Sequence, residues 1–341
     1  MFSNEKKINK FFLYWLFVSL LLVFLIIIIG GLTRLTNSGL SITEWELFAG
    51  VLPPLSENSW NFYFEQYKKI PQFNLINFNM SLDEFKVIFY WEYIHRILAR
   101  LIGLFFLVPL IYFYFTKSIR KEYMFVCFLI FSLIVFQGII GWYMVKSGLI
   151  NDVTVSHYRL SIHLITAVII ISMIFWLLKN IISKDKKKFF KISINNLPFQ
   201  IFIFMILIQI MMGAFVSGLD AGQIYQTWPL MGNNFFPNDI IFKNFGDFLE
   251  LDNHSLVQFY HRMFAYVLIL YSFFLVILIY INKFNELYKS LKIVLLFLFL
   301  QAILGVLTLV SELNIYLASF HQITSVLLIF SALNLYYLRA K

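Results

Sequence analysis

Long apolar runs separated by short polar or basic stretches dominate the chain. The run from Phe11 to Ile29 is broken only by Ser19. At about 1.5 Å per helical residue it can cross a hydrocarbon core of about 30 Å. Similar runs recur near 87–115, 123–145, 160–178, 199–216, 263–281, 293–310 and 315–338. Lipid permits only helices or closed barrels, and continuous apolar runs fit helices, not alternating barrel strands. The pattern therefore predicts an all-α polytopic membrane protein with eight transmembrane helices.

Two expected outer loops are long, about 33–85 and 218–255. The first carries Trp60, Phe62, Phe64, Tyr67 and Phe73 among Glu65, Lys68 and Lys69. That mixture predicts an amphipathic segment lying on the outer surface, a lid more than a separate domain. A basic linker, 179–198, follows the fourth run and divides the chain into two sets of four spans. The division predicts an N-terminal four-helix bundle over 1–182 and a C-terminal one over 183–341.

The two sets resemble each other in order. Glu92-Tyr93-Ile94-His95-Arg96 opens span two and Gln258-Phe259-Tyr260-His261-Arg262 opens span six. Gln137-Gly138-Ile139-Ile140-Gly141 in span three matches Gln301-Ala302-Ile303-Leu304-Gly305 in span seven. His163-Leu164-Ile165-Thr166 in span four matches His321-Gln322-Ile323-Thr324 in span eight, and Gly31 through Trp45 matches Gly213 through Trp228. With an even number of spans per repeat, both copies enter the membrane in the same direction, in contrast to inverted repeats. A four-helix bundle readily encloses a cofactor between facing helices.

Composition agrees with the hydropathy pattern: 60% of the residues are hydrophobic and 13% charged, with a formal net charge of +9. Most of the basic residues fall on one side, notably Lys179, Lys184, Lys186, Lys187, Lys188 and Lys191 in the linker. Basic loops stay in the cytoplasm, so both termini are expected there. The basic balance thus reflects topology, and no nucleic-acid partner is needed to explain it. The single cysteine, Cys127, lies inside span three, so the outer loops are built without disulfides. The first run is too long for a cleaved signal and lacks a transit-peptide pattern. A bacterial inner (plasma) membrane is expected, with a mitochondrial inner membrane as the alternative.

Of the six histidines, four occupy repeated positions: His95 and His163 in the first set, His261 and His321 in the second. All four fall in the outer part of helices running inward. Each bundle thus offers two imidazoles on two helices at matching depth, as a six-coordinate haem iron requires. Structural hydrogen bonding is the plainer alternative. A zinc site would need a third strong ligand. Glu92 could serve in the first bundle, but the second has Gln258 there, so haem fits both. Glu92 and His95 share a helix face. A carboxylate beside a haem can move protons, which places chemistry in the first bundle and electron transfer in the second; pairing with Arg96 or Arg100 is the competing role. His157 is expected at the interface and His254 in a solvated loop. Arg96, Arg159 and Arg262 could meet haem propionates or lipid head groups.

Together these segments resemble the haem A synthase family, in its alphaproteobacterial and mitochondrial form. The resemblance rests on Gly30 through Ser41, Glu44-Trp45, Pro53-Pro54-Leu55, Glu84-Phe85-Lys86 and Glu92 through Arg96. Ser156-His157-Tyr158-Arg159-Leu160 with His163, Thr227 through Gly232 and Val257 through Arg262 extend it over nearly the whole chain. One departure is Ala99, where the family pattern leads one to expect Gly. The absence of a cysteine pair from the first outer loop matches the family's disulfide-free branch.

The resemblance implies a resident haem b ligated by His261 and His321. It also implies a substrate haem O bound through His95 and His163, with Glu92 in a catalytic role. The implied reaction is successive hydroxylation of the C8 methyl, the gem-diol then losing water to leave the formyl group of haem A. Expected partners are haem O, membrane lipid, a haem O synthase and an electron-transfer protein. The alternatives are a dihaem b-type membrane electron-transfer protein and a transporter built from parallel repeats. The former would stack its haems at two depths, and the latter leaves the matched histidines unexplained.

Overall fold

The protein's structure is a computed structural model that describes residues 10–44, 52–151 and 153–340, the side chains of residues 150 and 151 excepted. Lys6, Lys7, Trp45 and Lys341 lie outside the described residues. The helices are α1 (Lys10–Leu35), α2 (Glu57–Tyr67), α3 (Pro71–Leu75), α4 (Leu82–Thr116), α5 (Lys121–Asn151), α6 (His157–Ile182), α7 (Leu197–Gly218), α8 (His254–Ile281), α9 (Tyr288–Val310) and α10 (Ile315–Arg339). All but α2 and α3 are long and apolar enough to cross a membrane, which makes eight candidate spans among the described residues. The chain is an all-α polytopic membrane protein.

Several spans outrun their apolar runs because polar residues cap them. The Ser81 hydroxyl accepts the Glu84 amide and the Glu84 carboxylate accepts the Ser81 amide, so α4 starts well before the hydrophobic stretch. Asn253 caps α8 by accepting from Leu256 N at 3.0 Å. His254, expected in a loop, is therefore the exposed first residue of a helix. Such caps satisfy backbone donors that a helix cannot pair internally.

Helix neighbours define two closed rings. In the first, α1 packs on α4, α4 on α5, α5 on α6 and α6 on α1; in the second, α7 packs on α8, α8 on α9, α9 on α10 and α10 on α7. The rings meet through α6 against α7 and α10, and α1 against α10. The densest packing lies at the end where α1 begins and α10 finishes, around Trp15, Phe106, Phe113, Phe199 and Tyr336, all nearly inaccessible.

Within that core, Pro109 sits inside α4 and cannot donate to the carbonyl four residues earlier. The indole N–H of Trp15, from α1, donates to that carbonyl, Phe105 O, at 3.1 Å. An unpaired carbonyl would be costly in an apolar interior, so the proline and the tryptophan act together.

Polar contacts also join the rings. Gln322 of α10 donates to Ile27 O of α1 at 2.8 Å, against a helix surface that Gly31 keeps bare. Arg34 donates to Asp220 at 2.7 Å and to the Ser217 carbonyl. His157, expected at the interface, stands at the start of α6, buried against Phe215 and Gly218 of α7. Between α1 and α4, Trp60, Phe64 and Tyr67 of α2 pack on Phe85 and Phe89 at the start of α4. The segment predicted to lie on the outer surface thus turns its aromatic face onto the protein, because the extended α4 offers one to meet it.

A β-carbon at Gly218 would stand 2.6 Å from His157 Cβ and 2.7 Å from its Cα, atoms that cannot move aside. One at Gly103 would meet nothing within 4 Å. Overpacking costs about 1–3 kcal/mol, whereas Gly→Ala in an open helical site gains up to about 1 kcal/mol. Gly218→Ala is expected to lower the thermal midpoint of the detergent-solubilised protein and Gly103→Ala to hold or raise it. Equal midpoints for the two variants would refute this account of the interface.

Candidate functional site

The repeated histidines come from diagonal members of each ring. His95 stands on α4 and His163 on α6, with ring centroids 6.4 Å apart and an interplanar angle of 77°. His261 on α8 and His321 on α10 are likewise electrostatic neighbours. Two imidazole nitrogens on opposite sides of one metal, each at roughly 2 Å, put their ring centroids roughly 6 Å apart. The spacing of the first pair therefore fits a single iron held between them.

Each imidazole rests on a glycine of the preceding helix in its ring. A β-carbon would come within 3.2 Å of the His95 ring at Gly30, 3.3 Å of His163 at Gly141, 3.2 Å of His261 at Gly213 and 3.1 Å of His321 at Gly305. Any larger residue would push the ring toward the bundle axis. A glutamine one turn before the glycine adds a second hold. Gln137 donates to His163 O at 2.9 Å, Gln209 to His261 O at 3.1 Å and Gln301 to His321 O at 2.7 Å.

The surroundings fit a flat macrocycle. On α4 no residue between Glu92 and Ile102 is fully buried, on α8 none between Gln258 and Leu268, and on α10 none before Val326. The histidines thus stand where the bundles are loosely filled, above a dense floor. Nδ1 of His163 and Nδ1 of His321 are buried without a hydrogen-bond partner. Among the described residues no three His, Cys, Asp or Glu converge, so the donor set suits a haem with two axial imidazoles and does not suit zinc.

The lip of each bundle is clamped by the residues flanking the histidine. Glu92, 2% exposed, accepts from Ser41 Oγ at 2.7 Å and Ile42 N at 2.9 Å on one oxygen, and from Arg96 at 2.5 Å on the other. Arg96 also donates to Ile42 O at 3.0 Å. In the second bundle Gln258 donates to Tyr225 O at 3.0 Å, while Arg262 donates to Tyr225 O at 2.7 Å and Thr227 O at 2.9 Å. The architecture is shared and the charge is not: a buried carboxylate stands in one bundle, an amide in the other.

In the loop between α7 and α8 Tyr225 donates to Asp239 at 2.6 Å, and this bond, foremost, pushes its phenol above the ordinary value. Arg159 is engaged with Ser147 and lies over the Tyr143 ring at 4.7 Å. His157 and His254 stand apart from the two repeated pairs and are electrostatic neighbours of each other. His157 Nε2 lies 3.3 Å from Asp252 at the junction of the rings.

Sequence reasoning located the four histidines and Glu92 but gave no role to the four glycines or to Gln209. The signal was present. Glutamine and glycine four apart occur at 137–141, 209–213 and 301–305, each on the helix before a repeated histidine.

Comparison with known proteins agrees with this geometry. Residues 13–333 match the family model COX15-CtaA, described as cytochrome oxidase assembly protein. A Pelagibacter ubique protein named "Heme A synthase" is 49% identical over 339 residues, covering 97% of each chain. Proteins of the same name from Rickettsia felis and Rickettsia prowazekii are 41% and 40% identical, each alignment covering 92% of this chain and 94% of the relative. With a match spanning nearly every helix that builds the two histidine pairs, the chain belongs to the COX15-CtaA family of cytochrome oxidase assembly proteins.

Proposed function

We propose that this chain is a haem A synthase, a membrane oxidoreductase that converts the C8 methyl of haem O to the formyl group of haem A for terminal oxidase assembly. One observation carries the reading: His95 and His163 face each other at 6.4 Å from diagonal helices. The chain is also alike over its length to proteins named for this activity. The N-terminal bundle, 1–182, takes the substrate haem O through His95 and His163. The C-terminal bundle, 183–341, holds a resident haem b through His261 and His321. That haem b, when bound, supplies one-electron transfer.

The chain's own contribution is orientation and proton handling. The paired imidazoles and their glycine seats fix the plane of the substrate, so that one edge of the macrocycle faces a fixed part of the bundle wall. Each hydroxylation of the edge methyl replaces one C–H hydrogen by a hydroxyl group and is a two-electron oxidation, whose electrons pass to the external electron-transfer partner this role requires; after two such steps the gem-diol loses water to form the aldehyde. Glu92 is the group placed to move protons. It is the buried carboxylate beside a substrate ligand, and its partner Arg96 keeps it oriented. Gln258 at the matching place supports keeping the chemistry in the first bundle.

Both termini lie in the cytoplasm of a bacterial cell, as the basic linker between α6 and α7 favours. The outer loops then face the periplasm. A haem O synthase and an electron-transfer protein are the partners this role calls for.

Haems extracted from the detergent-purified protein, made alongside a haem O supply, test the reading by chromatography with mass detection. Haem B together with haem O, hydroxylated haem or haem A is expected. Haem B alone would point to electron transfer only, and no haem would end the proposal. Glu92→Gln keeps the shape of the side chain, so haem content should hold while haem A formation falls by about a hundredfold or more, the scale of a lost general acid–base. Unchanged product would remove Glu92 from the chemistry. His261→Ala should abolish or alter the low-spin b-type spectrum of the resident haem, and an unaltered spectrum would sink that ligand assignment.

A further inference from the structure

The four histidine seats are not equal. Three have a glutamine on the glycine helix that donates to the carbonyl of the seated histidine, and Gln209 lies in addition 3.2 Å from Nδ1 of His261. The fourth does not. On α1 the residue one turn before Gly30 is Ile26, and its neighbour Ile27 is apolar too. Among the described residues no side chain from another helix donates to His95 O. The nearest ties between α1 and α4 flank it. Thr33 Oγ1 lies 3.4 Å from Trp91 O while donating to Ile29 O at 2.9 Å, and Trp15 holds Phe105 far below.

The ring is placed differently as well. A β-carbon at Gly141, Gly213 or Gly305 would meet Cε1 of its histidine first, whereas one at Gly30 would meet Nε2 of His95 first. His95 thus sits on its glycine differently from the other three, on the one helix segment that no glutamine pins.

We propose that His95 is the exchangeable axial ligand of the first bundle, and that Gln137, Gln209 and Gln301 are positioning residues that lock the other three imidazoles. The inference rests on the proposed haem occupancy of both bundles. A substrate haem must enter and its product must leave, so at least one of its two axial bonds has to open in every turnover. A resident haem gains nothing from such an opening. The glutamines divide the seats along that line. Both seats of the second bundle are locked, and the first bundle keeps one locked seat, His163, and one that releases. A buried amide donating to a backbone carbonyl in an apolar slab resists separation, because both groups would be left without water or partner.

Carbon monoxide reads the difference directly, since it binds a ferrous haem only where an axial ligand departs. The full-length protein carrying both haems is reduced and mixed with the gas, and the two haems are followed by their separate visible bands. Carbon monoxide should combine with the first-bundle haem and leave haem b six-coordinate. Gln301→Leu, or Gln209→Leu should the first fold poorly, should make haem b reactive while it stays bound. Ile26→Gln, which supplies the missing amide, should slow the first-bundle reaction by about tenfold, the scale of one hydrogen bond. Equal reactivity of the two haems in the unaltered protein would overturn the inference, as would unchanged rates in both the glutamine-loss and glutamine-gain variants. In either case the haem content would still stand for the proposed function. Protein that purifies with no haem at all would instead overturn that function, and this inference with it.

Discussion

The histidine half of each bundle is organised around one arrangement: two imidazoles come toward each other from diagonal helices, with ring centroids 6.4 Å apart in the first bundle. Diagonal helices in a closed ring of four do not touch, so the rings come from across an open centre. Each imidazole therefore needs a wall behind it that lies close without filling the centre. A glycine on the adjacent helix provides such a wall. The loose packing around the histidines and the dense aromatic floor beneath them follow from the same arrangement, since stability lost in the open half must be made up elsewhere.

The second governing constraint is the solvent. In a hydrocarbon slab a backbone carbonyl released from its helix, or a polar side chain turned inward, has only the protein to bond with. The Trp15–Phe105 bond beside Pro109, the glutamine–histidine bonds and the Gln322–Ile27 bond are all instances of one rule. Polar groups in these helices occur where they secure a neighbouring backbone. At the lips, where loops return to the helices, the same work falls to Glu92 with Arg96 and Gln258 with Arg262, which grip loop backbone through side chains three apart from and next to each histidine.

Much of this was legible in the chain. Continuous apolar runs marked all eight spans, because in lipid hydropathy and span length are set by one physical scale. The histidine pairs were legible because duplication displays them twice. What escaped notice depends on contacts between helices that periodicity does not report. His157 reads as an interfacial residue from its polar neighbours, yet the bare surface of Gly218 lets it tuck between the rings. The aromatic residues of α2 mark a surface-lying, lid-like segment, but nothing in that segment shows that α4 extends far enough to receive them. Glu92 was open between pairing with Arg96 and acting as an acid–base. It does pair with Arg96, and that contact orients the carboxylate without settling its role.

The Gln322–Ile27 contact has a consequence for how the molecule is made. Ile27 lies in α1 and Gln322 in α10, 295 positions later and so made well afterwards. Until α10 is inserted, the face of α1 around Gly31 meets lipid or whatever escorts the nascent chain. The first ring can close early from its own helices and meet α7, but the part of the seam that α10 makes with α1 and α6 forms only once α10 is in place. The arrival of α10 is thereby recorded at one carbonyl, and a product lacking that helix would leave the glycine face of α1 bare.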